Sequence, residues 1–157
     1  MTYTHSLLAF NINLLVRIFS EGFPNWFTMR YQNEIVGQLK TLSTNLNYFV
    51  NVGWWYFKYG SYQMLYIPTN DSSNAIRICI PHFNSANQYE SEALVAAINE
   101  TNREIKYVKV VILGNGSISI NYDHKYGGED DLYSMLLHML KTLHFAAEFL
   151  KNKLSEK

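Results

Sequence analysis

Three side chains near expected strand ends are the residues best suited to chemistry: His82, Asp123 and His124. Imidazole and carboxylate groups bind zinc, and the same groups transfer protons in hydrolases. Metal sites in sequence usually show tighter spacing, such as ligands one helical turn apart with a further ligand, and these three residues lack it. We therefore expect a non-enzymatic protein with no metal and no cofactor. A small metal-dependent or acid–base hydrolase that uses these three residues remains the alternative.

Other reactive residues have simpler structural explanations. Residues 122–131, "YDHKYGGEDD", hold four acids and a histidine, but the pattern fits a strand end, a glycine turn and an acidic helix start. His144 and Glu148 stand four residues apart, which is the spacing of an ordinary surface pair on a helix. The single cysteine, Cys79, is expected to be a small packed residue on a strand.

The aromatic segment "GWWYFKYG", residues 53–60, holds more large rings than the inward face of one strand can bury. On a strand, Trp54 and Tyr56 share one face while Trp55 and Phe57 share the other, so two large rings stay outside whichever face is inward. Either the N-terminal segment with its aromatic residues covers the outer rings, or Trp54, Trp55 and Phe57 belong to a surface that binds another protein. A nucleic-acid groove is disfavoured because the segment holds one cation only, Lys58.

The last helix also has large apolar side chains outside its core-facing side. One side of it is expected to face the core through Leu132, Leu136, Met139, Leu140, Leu143, Ala147, Leu150 and Leu154. Phe145 and Phe149 lie more than about 90 degrees of arc from the centre of that side at 100 degrees per residue. The N-terminal segment, a second copy of the chain or a foreign protein must cover them, and we predict a partner or homodimer surface there.

Composition restricts the partners further. The chain has 157 residues with 13 basic and 13 acidic side chains, so its net charge is zero and we expect neither nucleic acid nor a membrane surface as a partner. One unpaired cysteine favours the cytoplasm.

Hydrophobic periodicity predicts an α+β fold with a five-stranded antiparallel sheet and helices packed on one face. Helices are expected at about 7–19, 32–47, 89–103 and 129–153, and strands at about 52–59, 62–67, 75–80 and on either side of a type I′ turn at Asn115-Gly116. The face toward the helices should carry Ile76, Ile78, Ile80, Ile118 and Ile120, and the other face Arg77, Ser117, Ser119 and Asn121. Residues 1–30 are expected to form a helical extension of one domain, residues 31–157.

Three stretches resemble the YbjN family of bacterial sensory transduction regulators, which shares a fold with type III secretion chaperones. They are "ALVAAINETNREIKYVKVVIL", "GNGSISINYDH" and "GGEDDLYSMLLHMLKTLHFAAEFLKNKL". The resemblance covers about Tyr31 to Leu154 and consists of hydrophobic spacing and an Asn-rich helix end. It implies a protein-binding or regulatory role, with dimers common among chaperones of this fold, and supplies no catalytic residues.

Overall fold

A computed structural model describes residues 24–68, 75–126 and 131–156 of the chain. These residues form three α-helices and six strands: α1 (Pro24–Leu42), β1 (Thr44–Phe49), β2 (Trp54–Tyr59), β3 (Tyr62–Pro68), β4 (Ala75–Ser85), α2 (Ser91–Glu104), β5 (Val108–Ile112), β6 (Ser117–Lys125) and α3 (Leu132–Ser155). The predicted α+β class is confirmed. The predicted count of five strands is wrong, because β1 is a sixth strand. The helix expected at 7–19 lies outside the described residues.

The six strands form one sheet in the order β1-β2-β3-β4-β6-β5, and every neighbouring pair is antiparallel. The face that packs against the helices, called the inner face here, carries the five isoleucines assigned to it from the sequence, all at most 3% exposed. They form one core with residues of α1, α2 and α3. The opposite, outer face carries Arg77, which is exposed, as expected.

Helix α1 differs from its prediction at both ends. It begins at Pro24, a residue that suits the first helical position because the N–H it lacks has no partner there. It therefore crosses the expected boundary between residues 30 and 31. It ends at Leu42, and Ser43 closes it with a backbone N–H that donates to Leu39 O at 2.9 Å. Asn45 then has φ 57°, a left-handed conformation that directs the chain into β1.

Two local predictions in the sheet are also wrong. Strand β4 continues past Pro81 to Ser85 because its register with β6 shifts between Ile80 and Asn84, and proline is tolerated at such an irregularity. The β5–β6 turn is not type I′. Gly116 has φ 85° and donates its N–H to Leu113 O at 2.9 Å, whereas Asn115 is not left-handed. This is the pattern of a tight turn followed by a left-handed glycine.

Helices α1 and α2 both pack against α3, which lies over the central strands. The core-facing side predicted for α3 is confirmed: Leu136, Met139, Leu140, Leu143, Ala147 and Leu150 are all 0% exposed. No helix within the described ranges has the length and apolar character that crossing a membrane would require.

Candidate protein-binding surface

The outermost strand β1 exposes several large apolar side chains. The chain reverses sharply after it, where Gly53, at φ 72°, donates its N–H to Phe49 O at 2.8 Å. Four apolar residues around this reversal are each more than 40% exposed: Tyr48, Phe49, Val50 and Val52. Burying such side chains against another molecule is favourable in proportion to the apolar area removed from water.

Ring contacts join these residues to β2. The Tyr48 ring lies 4.8 Å from Trp55, and the Phe49 ring lies 4.5 Å from Tyr56. Phe49 is also the register partner of Trp54. We call the resulting continuous surface, Tyr48, Phe49, Val50, Val52, Trp54 and Trp55, the β1 edge surface. It wraps around the end of the sheet because Trp54 and Trp55 point to opposite faces.

Among the described residues, no strand pairs with the outer edge of β1. Proteins usually guard an edge strand with charged side chains or proline. Residues 41–57, which include all of β1, contain no charged residue and no proline. One irregularity does interrupt the strand, between Thr44 and Asn47. The remaining edge combines unprotected backbone groups with exposed aromatic rings.

The opposite edge of the sheet is covered at the middle of β5. Asn102, on α2, accepts a hydrogen bond from Val110 N at 2.7 Å and donates from Nδ2 to Val110 O at 3.1 Å. The side-chain amide thus replaces the backbone of a further strand along the outer side of β5. Within the described residues, the two edges of the sheet therefore differ, and β1 is the one open to pairing.

A cluster between the β2–β3 turn and α3 lies at the other end of β2 from the β1 edge surface. Tyr62 donates its hydroxyl to Glu148 Oε1 at 2.8 Å, and burial together with this bond raises the pKa of Tyr62, which keeps the donor protonated. The His144 ring packs edge-on against Tyr62 at 5.4 Å. Tyr59, Gly60, Lys141 and His144 line a shallow cleft of about 390 Å³ beside it. These contacts fix the end of β2 that leads into β3.

A second exposed aromatic group lies at the start of β5. Tyr107 is 69% exposed and has φ 73°, a conformation that is strained for a bulky side chain. Its ring stacks on Tyr122 at 5.9 Å, and His138 of α3 lies edge-on to both rings. Burial, with a smaller contribution from Tyr107, raises the pKa of Tyr122. These ring contacts connect the start of β5 and strand β6 to α3.

The residues predicted as partner-binding are separated by the fold. Trp54 and Trp55 are half-buried within the β1 edge surface. Phe57 is 0% exposed and packs in the core, so its assignment to a binding surface is wrong: it lies on the inner face, under the helices. On α3, Phe145 is 60% exposed. Its ring lies 6.4 Å from half-buried Phe149, which Lys153 Nζ approaches at 5.4 Å.

The residues of the hydrolase alternative do not assemble into one site. Asp123 accepts two hydrogen bonds from Arg77, at 2.6 and 2.8 Å, and this carboxylate raises the pKa of the guanidinium. His82 Nδ1 lies instead 2.8 Å from Ser117 Oγ. Ser117 is six residues from Asp123 along β6, a distance of roughly 20 Å on a strand. Within the described ranges, no three histidine, cysteine, aspartate or glutamate side chains could share a metal ion.

Cys79 is packed, as predicted from the sequence. It is 4% exposed, and burial raises the pKa of its thiol to about 12. A thiol with this pKa stays protonated at neutral pH and is a poor nucleophile.

Sequence reasoning missed the four exposed residues of the β1 turn. The signal that could have revealed them is the stretch without a charged residue or a proline at residues 41–57, which begins well before the aromatic segment at 53–60. The missed strand β1 lies inside that run.

Comparison of the sequence with models of known protein families gives no match, and comparison with curated proteins gives none either.

Proposed function

We propose that this protein is a non-enzymatic protein-binding or regulatory module of the YbjN type, with a chaperone-like fold, that acts in the cytoplasm. The observation that carries the proposal is the β1 edge surface. It places exposed aromatic and aliphatic side chains beside an unprotected strand edge. Trp and Tyr side chains supply much of the binding energy at protein interfaces. An extended segment of a partner can add to a free strand edge through backbone hydrogen bonds while its side chains contact the rings.

The contrast between the two sheet edges supports this proposal. The chain covers β5 with the amide of Asn102 but leaves β1 with neither charge nor proline. Such an edge invites uncontrolled pairing unless another molecule occupies it. A protein partner satisfies both the backbone groups and the apolar rings of β1.

A second copy of the chain is the partner we propose for α3. Phe145 is exposed on α3, and its ring lies beside Phe149, which packs partly against the core. A two-fold axis would bring the same pair together from both subunits, so that one patch serves as its own partner.

Capture of partners from an extract of the source cells tests the proposed function. Three baits are compared. They are the wild type, a double variant of the edge surface (Tyr48→Ser with Phe49→Ser) and a double-variant control (Val95→Ser with Ile112→Ser). Both control positions are also exposed apolar residues, at 49% and 46%. We expect a discrete protein that the wild type and control retain and that the edge variant loses at least about tenfold, equal to about 1.4 kcal/mol. Equal retention by all three baits, or none by the wild type, would contradict the proposal.

A further inference from the structure

The cleft between the β2–β3 turn and α3 brings two basic side chains together. Tyr59 and Gly60 line it from the sheet, and Lys141 and His144 line it from α3. Lys141 and His144 are three residues apart on the helix, so their side chains are neighbours on one side of it. The cleft volume of about 390 Å³ falls within the range of about 300–1,000 Å³ that is typical of small-molecule sites. A small molecule therefore fits between the turn and the helix.

The carboxylate best placed to neutralise these two groups is bound elsewhere. Glu148 follows His144 by four residues, which is the spacing of paired side chains on a helix. Its carboxylate instead accepts the hydroxyl of Tyr62 at 2.8 Å. Within the described ranges, neither Lys141 nor His144 forms an ion pair or a hydrogen bond. The described part of the chain thus supplies no counterion to the two basic groups of the cleft.

Contacts with the sheet fix the imidazole ring at the cleft. The His144 ring packs edge-on against Tyr59 at 6.2 Å and against Tyr62 at 5.4 Å. A Cβ atom on Gly60 would lie 2.9 Å from its Cδ2 atom and 3.0 Å from its Nε2 atom, so this edge of the ring lies directly beside the turn. The absence of a side chain at Gly60 permits the approach. A ring that is already held in place loses little conformational entropy when a ligand binds.

The chemistry of the cleft suits an organic anion. The ammonium group of Lys141 donates charge-assisted hydrogen bonds to carboxylate or phosphate oxygens, and a ring nitrogen of His144 can donate to the same group. The half-buried ring of Tyr59 offers an apolar and aromatic surface to the body of the ligand. We propose that this cleft binds a small organic anion whose carboxylate or phosphate lies between Lys141 and His144 and whose body packs on Tyr59.

This site and the β1 edge surface use opposite ends of β2. The cleft lies at Tyr59, where β2 leads into β3, whereas the edge surface includes Trp54 and Trp55 at the start of β2. A ligand in the cleft would connect the β2–β3 turn to α3 and would leave the edge of β1 free. The anion site and the proposed function can therefore each hold without the other.

Titration of the full-length protein with simple aromatic probes tests the proposal. Benzoate, phenyl phosphate and uncharged benzyl alcohol are added at constant ionic strength, and binding is followed by NMR from the backbone amides of Gly60 and His144. We expect saturable shifts with at least one of the two anions, the tighter one identifying the preferred head group, and none with benzyl alcohol. Absence of saturable shifts with both anions, or equal binding of benzyl alcohol, would overturn the proposal.

Charge variants locate the bound anion. Lys141→Gln should weaken binding of the better anion at least about tenfold, because a charge-assisted hydrogen bond is lost. Lys109→Gln removes the same charge from an exposed position on β5 and should leave the affinity unchanged. Equal affinities of these two variants for the anion would show that it does not bind at Lys141.

A histidine variant separates a formed site from general attraction of anions to a lysine. His144→Phe keeps an aromatic ring against Tyr59 and Tyr62 but removes the ring nitrogens, and we expect at least about threefold weaker binding. Circular dichroism and urea unfolding check that the variant is folded. A folded His144→Phe protein that binds the anion as tightly as the wild type would reduce the site to adventitious attraction by Lys141 and overturn the proposal.

Discussion

At the scale of single residues, Gly60 shows how little space the β2–β3 turn leaves. Its φ is +59°, and a Cβ atom there would lie 2.9 Å from His144 Cδ2. We expect Gly60→Ala to lower the free energy of unfolding by about 1–3 kcal/mol, through backbone strain and displacement of the histidine. Gly37 on α1 is the control, since nothing lies within 4 Å of its added Cβ. Gly37→Ala should raise stability by about 0.5–1 kcal/mol. Equal effects of the two changes in urea unfolding would contradict this account.

The buried thiol predicts a specific loss of stability in alkali. The pKa of Cys79 is raised from 9.0 to about 12 by burial, so between these values the unfolded chain releases a proton that the folded chain keeps. The thiol's contribution is complete below pH 9 and is lost as the pH rises toward 12. Between pH 9 and 10, the wild type should lose about 1 kcal/mol more than Cys79→Ala. Parallel pH curves for the two proteins in urea unfolding would show that the thiol is not buried.

At the scale of elements, Asn102 carries the connection between α2 and the edge strand β5. Asn102→Ala leaves both backbone groups of Val110 without their partner, and we expect a loss of about 1–3 kcal/mol with faster hydrogen exchange at Val110. Asn99, an exposed residue on the same helix, provides the control. Asn99→Ala should change stability by less than about 0.5 kcal/mol. If Val110 exchanges at the same rate in both variants, Asn102 does not cover the edge.

The elements also show where sequence reasoning succeeds and where it cannot. Strict alternation placed Ile76, Ile78 and Ile80 on the inner face correctly, because a side-chain period of two leaves no other choice once one face is buried. Strand β1 was missed because the spacing of Leu42 and Leu46 continues the helical period of α1. The left-handed Asn45 that breaks this period leaves no clear mark in the sequence. The exposure of Tyr48 and Phe49 depends on strand order, which local patterns do not encode.

At the scale of the whole molecule, exposed Phe145 with half-buried Phe149 beside it on α3 predicts self-association. We expect light scattering to give the mass of a dimer for the wild type and of a monomer for Phe145→Ser, Phe149→Ser, because each copy would lose the apolar area that its partner covers. Tyr133→Ser, at an exposed position on the same helix, should leave the dimer intact. A wild type that stays monomeric at high concentration rules the dimer out, and an unchanged dimer in the double variant moves the interface elsewhere.

The central claim, that the β1 edge surface binds another protein, is tested most directly by photo-crosslinking inside the source cells. A photoreactive phenylalanine analogue replaces Tyr48 in one strain and Val95 of α2 in another. Both positions are exposed, at 42% and 49%, but only Tyr48 belongs to the edge surface. We predict a discrete crosslinked protein from position 48 and none from position 95. The absence of an adduct at position 48, together with one at position 95, would contradict the account.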